Sequence, residues 1–283
     1  MRQSKRLRVV FTLLSFAIIA AIWWVLAETR FRLTGIIPSP ARTLQIIGEE
    51  MQKDSFFRAV FSTLERAFIS FFVSFTAASV LAISAHYKKF IGYLLNPFIV
   101  LCRAMPTMAL ILILLLTVGS SMLPIVVAFL VVFPLCYENM RAAISETDSR
   151  LIMMARVFKV PKLRQITGIY IPAMMPFAFS SIVAGFGLNI KVVISAEVMG
   201  LPAMSIGHLI LSAQHAFNFG VSFAWLVVAV LLCLVCESIL QIMQRLCMPY
   251  KYPDLRILKT ALKKIFIPQK RMPKTRGGND NVS

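Results

Sequence analysis

The sequence predicts an all-α protein, a polytopic membrane bundle of about six transmembrane helices with one short helix in the loop between the fourth and fifth. Three observations carry this reading. Hydrophobic residues fill 58% of the 283 positions, against about 45–50% in an ordinary soluble domain, and mean hydropathy is +0.78. They fall in runs long enough to cross a hydrocarbon core about 30 Å thick. The lysines and arginines, 30 against 12 acids for a net charge of +18, stand beside those runs, which is how membrane orientation is encoded. A nucleic-acid site would need a separate basic module, and no nucleic-acid partner is expected.

The first span is expected at residues 9–27, which carry no charge and end with Trp23 and Trp24 at an interfacial level. A cleaved signal is the competing reading, but the run is longer than an ordinary signal core, so a retained span is expected. Ile37-Pro38-Ser39-Pro40 then fixes an extended entry into an amphipathic helix outside the membrane, with Leu44, Ile47, Met51 and Phe57 on its apolar side. The second span is placed at 63–85. A third, at 92–118, carries Arg103 and is expected to kink or break at Pro106.

Gly119-Ser120-Ser121 turns the chain into a fourth span at 123–137, followed by a charged segment over 138–164. The fifth span, 169–194, has Pro172 and Pro176 near its start and Gly185 and Gly187 midway, residues that allow bends and close helix contact. A loop and short helix follow, and the sixth span is placed at 221–243. Residues 1–8 then form a cytoplasmic N-terminus, 9–245 the transmembrane domain and 246–283 a basic cytoplasmic tail. With both termini inside, the inner segments hold most of the lysines and arginines.

Cys102, Cys136, Cys233 and Cys236 lie in or beside apolar runs and Cys247 follows the last one. They read as small packing residues rather than a redox or zinc set. His208 and His215 have no cysteine or carboxylate to complete a metal site, and no cofactor is expected. Neither Gly-x-Ser-x-Gly nor His-Glu-x-x-His occurs. A phosphate-binding loop is also missing, so an ATP-driven process would need its motor on another chain.

One segment calls for more than membrane packing. Around residues 149–160, Asp148 or Ser149 can cap a helix, Leu151, Met154, Ala155 and Phe158 share one face, and Pro161 closes it. An apolar stripe in water seeks a partner, whether a second protein, the chain's own helices or lipid.

Several motifs point to a family. They are Pro38-Ser39-Pro40; Asn96-Pro97 with Arg103-Ala104-Met105-Pro106; Leu151-Ile152 and Ala155-Arg156 followed by Ile171-Pro172; and Lys191 with Ala196-Glu197 and Gly200. Over residues 38 to about 245 the chain resembles the binding-protein-dependent ABC importer permeases, in the branch that imports nitrate, taurine, alkanesulfonates and thiamine precursors. The resemblance implies a place in the cytoplasmic (inner) membrane, cytoplasmic ATPase subunits, an extracytoplasmic substrate-binding protein and a second permease copy as partners. It makes the 149–160 segment a coupling helix that enters a groove on the ATPase, with Arg150, Leu151, Met154, Ala155, Arg156, Val157, Phe158 and Lys159 as contacts. Met153 and Met154 stand where the family has Glu-Ala, and Lys159 stands at its glycine. An altered helix end is the expected consequence, since a left-handed closing residue is costlier without glycine. The alternative family is the transmembrane component of energy-coupling-factor vitamin importers, whose arginine-centred coupling motifs differ from this segment.

Ionisable groups at membrane depth suggest a translocation path. Lys191 and Glu197 lie near the outer end of the fifth span, with Asn189 and Ser195 on the same segment. The competing reading has Lys191 reaching to the interface and Glu197 capping the next helix. Arg103 either faces a water-filled cavity, orients the broken third span or lies at the cytoplasmic interface.

Overall fold

The structure, a computed structural model, describes residues 2–29, 37–147 and 149–247. Those residues are helical almost throughout: α1 (Arg2–Thr29), α2 (Pro40–Met51), α3 (Asp54–Tyr87), α4 (Lys89–Ala104), α5 (Thr107–Val118), α6 (Leu123–Ser145), α7 (Ser149–Val157), α8 (Lys162–Gln165), α9 (Ile171–Gly200), α10 (Ile206–His215) and α11 (Phe219–Cys247). A π-turn, Ile166–Tyr170, joins α8 to α9. Asp148 and most of the basic tail lie outside the described residues. The chain divides into two compact units, Met1–Leu240 and Gln241–Ser283, and the core lies in the first.

The all-α membrane bundle is as the sequence predicts. Among the described residues four helices are long and apolar enough to cross a membrane: Asp54–Tyr87, Leu123–Ser145, Lys162–Gly200 and Phe219–Cys247. α4 and α5 together make a fifth candidate, bent by 104°, and Ala17–Thr29 is a shorter apolar helix. The break falls where Pro106 was expected to place it. Pro106 has no N–H to give to the preceding turn, and α5 starts afresh with Leu110 N–H donating to the Pro106 carbonyl at 3.1 Å.

α6 is the central helix. Val127, Val132, Phe133, Cys136, Met140 and Ala143 are all buried between α3 and α9. α3 meets its neighbours through a line of small residues, Ala59, Thr63, Ala67, Ser70, Ser74, Ala78 and Ala82, each fully buried. Small side chains let helix backbones approach closely where lipid supplies no hydrophobic drive between helices. At the start of α6, Gly200 of α9 packs where an added Cβ would overlap Leu123.

Several boundaries differ from the sequence reading. α6 runs on to Ser145, because Glu138 and Arg141 end the apolar stretch without ending the helix; both favour helix and pair at i,i+3. α3 begins at Asp54 rather than 63. α2 is capped by Ser39, whose side chain accepts from Arg42 N–H at 3.4 Å. Its buried face is Thr43, Ile46 and Glu50, while Leu44 and Met51 are exposed; Phe57, placed with them in the sequence reading, falls instead on α3, after the break at Gln52 and Lys53. Trp23 ties α1 to the rest of its unit: its indole N–H donates to the Pro38 carbonyl at 3.1 Å and its ring lies 5.5 Å from that of Phe223.

Candidate functional site

The residues proposed for a path separate into two groups. Glu197 and Asn189 are fully buried and hold helices together. Thr63 Oγ1 donates to Glu197 Oε2 at 2.9 Å, Arg66 Nη1 donates to Oε1 at 3.0 Å, and Gly207 N–H donates to Oε2 at 3.4 Å. Thr63 Oγ1 also accepts from Ile206 N–H at 3.1 Å, and Ser205 Oγ accepts from His208 N–H at 3.1 Å. The first three N–H groups of α10, which no helix can satisfy internally, are therefore met by side chains, two of them from α3 and α9. The capping alternative for Glu197 is the one the geometry supports. Gly207 permits it, because a Cβ there would overlap Glu197 and the Val198 backbone.

Asn189 does the same one level along. Its Nδ2 donates to the Ala67 carbonyl at 2.7 Å and its Oδ1 accepts from Ser70 Oγ at 3.1 Å. Both amide groups are spent on α3. Arg66, Thr63 and Ser70 were missed in the sequence because their partners lie more than a hundred positions away.

Lys191 and Ser195 turn the other way. They line a cavity of about 400 Å3 with Leu226, Val230, Cys233 and Glu237. Lys191 Nζ stands 3.6 Å from Glu237 Oε1, with the lysine side chain 63% and the glutamate 30% exposed. Two charges open to the surroundings in the middle of two apolar helices need water or protein rather than hydrocarbon. Gly187 makes room for the acid, since a Cβ there would overlap the Glu237 carboxylate. Arg103 lies apart from this pair, lining a cavity of about 370 Å3 with Thr107, Leu135, Glu138 and Asn139; nothing brings it to Lys191.

α7 sits beyond the end of α6. Ala155 is buried and Ile152 packs on the core, so this face docks the helix on the bundle. The opposite side exposes Met153, Met154, Val157 and Phe158, and Leu163 of α8 is also exposed. Arg150 and Lys159 are exposed as well; the side chains of Leu151 and Arg156 lie outside the described residues. Ala155 therefore belongs to the inner face, not to the exposed stripe in which the sequence reading placed it. Lys159 adopts the left-handed conformation, φ 49°, and Val160 N–H donates to the Ala155 carbonyl at 2.9 Å. This is the closing pattern a glycine usually provides, so the expected change of helix end does not occur.

Residues 70–248 match the model of the binding-protein-dependent transport system inner membrane component family. This chain belongs to that family. The permease is 22% identical over 231 residues to the putative aliphatic sulfonates transport permease protein SsuC of Bacillus subtilis (strain 168), covering 81% of this chain and 83% of that one. It is 24% identical over 234 residues to a probable ABC transporter permease protein of Brucella melitensis biotype 1, covering 82% and 94%. Among solved structures it resembles the inward-facing MetNI methionine ABC transporter, with TM-score 0.55, 19% identity and coverage of 67% and 94%. It also resembles a bacterial ABC transporter that imports alginate, with TM-score 0.57, 17% identity and coverage of 87% and 99%. These matches give no support to an energy-coupling-factor component.

Proposed function

We propose that this ABC importer permease forms half of a two-permease pathway in the cytoplasmic membrane, driven by ATPase subunits on separate chains that dock on α7. Both termini face the cytoplasm, a binding protein delivers a small solute at the opposite face, and selection among solutes rests mainly with that protein. The exposed apolar side of α7 carries the reading. Four large apolar side chains on an unpartnered helix side, with the other side anchored by Ile152 and Ala155, suit insertion into a groove. Burying Phe158 alone would contribute about 1.5–3 kcal/mol. Lys191, Ser195 and Glu237 are assigned to the path, at the surface where a second permease copy would face them.

The test is co-purification of the ATPase with wild-type permease and with the Met154→Asp, Phe158→Asp double variant at matched membrane levels, together with ATP-dependent uptake. Two charges in the apolar contact should abolish docking and leave insertion unchanged. Retention of the ATPase and of transport by the variant would reassign the stripe to lipid.

A further inference from the structure

The ends of α3 and α6 and the start of α4 enclose a cavity of about 590 Å3 that plays no part in the assignments above. Its polar lining is His86, Lys89, Asn96, Tyr137, Arg141 and Ser145, and no carboxylate lines it among the described residues. Lys89 makes no ion pair among the described residues, and Arg141 stands 3.8 Å from Glu138, at the limit of an ion pair. Two exposed cations and several neutral donors thus converge on an opening with nothing negative in it.

The setting narrows the occupant. α4 meets α5 at 104°, so it does not simply continue α5, and along α4 Phe90, Tyr93, Leu94 and Leu101 are exposed. An amphipathic helix with basic ends and bare apolar side chains is suited to the boundary between head groups and acyl chains. Of these side chains, Tyr93 also lines the cavity. A ligand that fills both surfaces carries a phosphate at one end and hydrocarbon at the other. Basic pockets between transmembrane helices suit such head groups.

We infer that this cavity binds the phosphodiester head group of an anionic phospholipid, with Lys89 and Arg141 on the phosphate and the acyl chains along α4.

The experiment uses the full-length permease in nanodiscs containing equal phosphatidylglycerol and phosphatidylcholine, with retained lipid measured by native mass spectrometry after detergent extraction. Wild type should retain phosphatidylglycerol preferentially. Lys89→Gln with Arg141→Gln should lower that preference roughly 25-fold, about fivefold for each cation removed. Lys88→Gln with Arg164→Gln removes the same charge from outside the cavity and should leave it intact. Gly92→Trp keeps both cations but fills the space, and should also release the lipid, so that the result does not hang on one variant's folding. Equal retention of the two lipids by wild type, equal loss in both charge pairs, or undiminished preference in Gly92→Trp would overturn the site. Displacement by inorganic phosphate at fixed ionic strength, with no dependence on lipid type, would assign it to the free anion and overturn the lipid.

Discussion

The carboxylate of Glu237 lies in the space that a side chain on Gly187 would fill. One helix leaves a gap and the other places a charge in it, within 3.6 Å of Lys191. The arrangement makes the Lys191–Glu237 pair dependent on a residue that carries no chemistry of its own.

Gly187→Ala should therefore act like a change at Glu237. Alanine favours helix over glycine by about 0.8–1.0 kcal/mol, and the displaced group is the far end of a flexible side chain, so stability should hold while uptake falls. Combined with Glu237→Gln, it should add little to either single variant. Fully additive losses in vesicle uptake would show that the glycine serves another contact.

Glu197→Ala should destabilise the fold by about 3–5 kcal/mol, because Arg66, the Thr63 hydroxyl and the Gly207 N–H of α10 all lose this acceptor in a buried site. Glu197→Gln keeps the shape and some of the hydrogen bonds and should lose less. The measurement is the midpoint at which a thiol-reactive dye reaches the buried Cys136 and Cys233 on heating in detergent. Equal midpoints for wild type and alanine variant would remove the structural role given to Glu197.

Lys159→Gly should stabilise the end of α7 by about 1 kcal/mol, since a left-handed residue with a Cβ is strained. Lys159→Val should destabilise it, a β-branched residue fitting that conformation worst. Hydrogen exchange at the Val160 amide, which donates to Ala155, reads this directly. Faster exchange in the glycine variant would contradict the strain argument.

Labelling of single cysteines in a background lacking the native five tests the orientation. Asp280→Cys should react only from the cytoplasmic side and Asp54→Cys only from outside. Reversal at either position would overturn the arrangement of the spans.

Much of the fold was legible because it is local. The apolar runs, the break at Pro106 and the short helix before the last span all follow from residue type along a few turns. The end of α6 was misplaced because charges at Glu138 and Arg141 mark the limit of the apolar stretch and not of the helix. The face of α2 was misread because Thr43 and Glu50 are buried there, against their polar character. In the site, Lys191 and Ser195 share a surface as sequence spacing suggests. Glu197 and Asn189 do not, because their partners Arg66 and Ser70 come from a helix more than a hundred positions earlier, and no local pattern announces that contact. Lys159 shows the opposite limit: a residue with a poor preference for a left-handed turn is held in one by the bonds around it.

The Arg66–Glu197 pair also sets an order in time. The two residues are 131 positions apart, so at roughly 5–20 residues per second α3 is synthesised some 7–26 seconds before its buried acid exists. During that interval Arg66 must stay hydrated or borrow a transient partner. Closure of this end of the bundle is thus a late step of biogenesis, and a chain halted before residue 197 would carry an unpaired cation by which membrane quality control could tell it from a finished one.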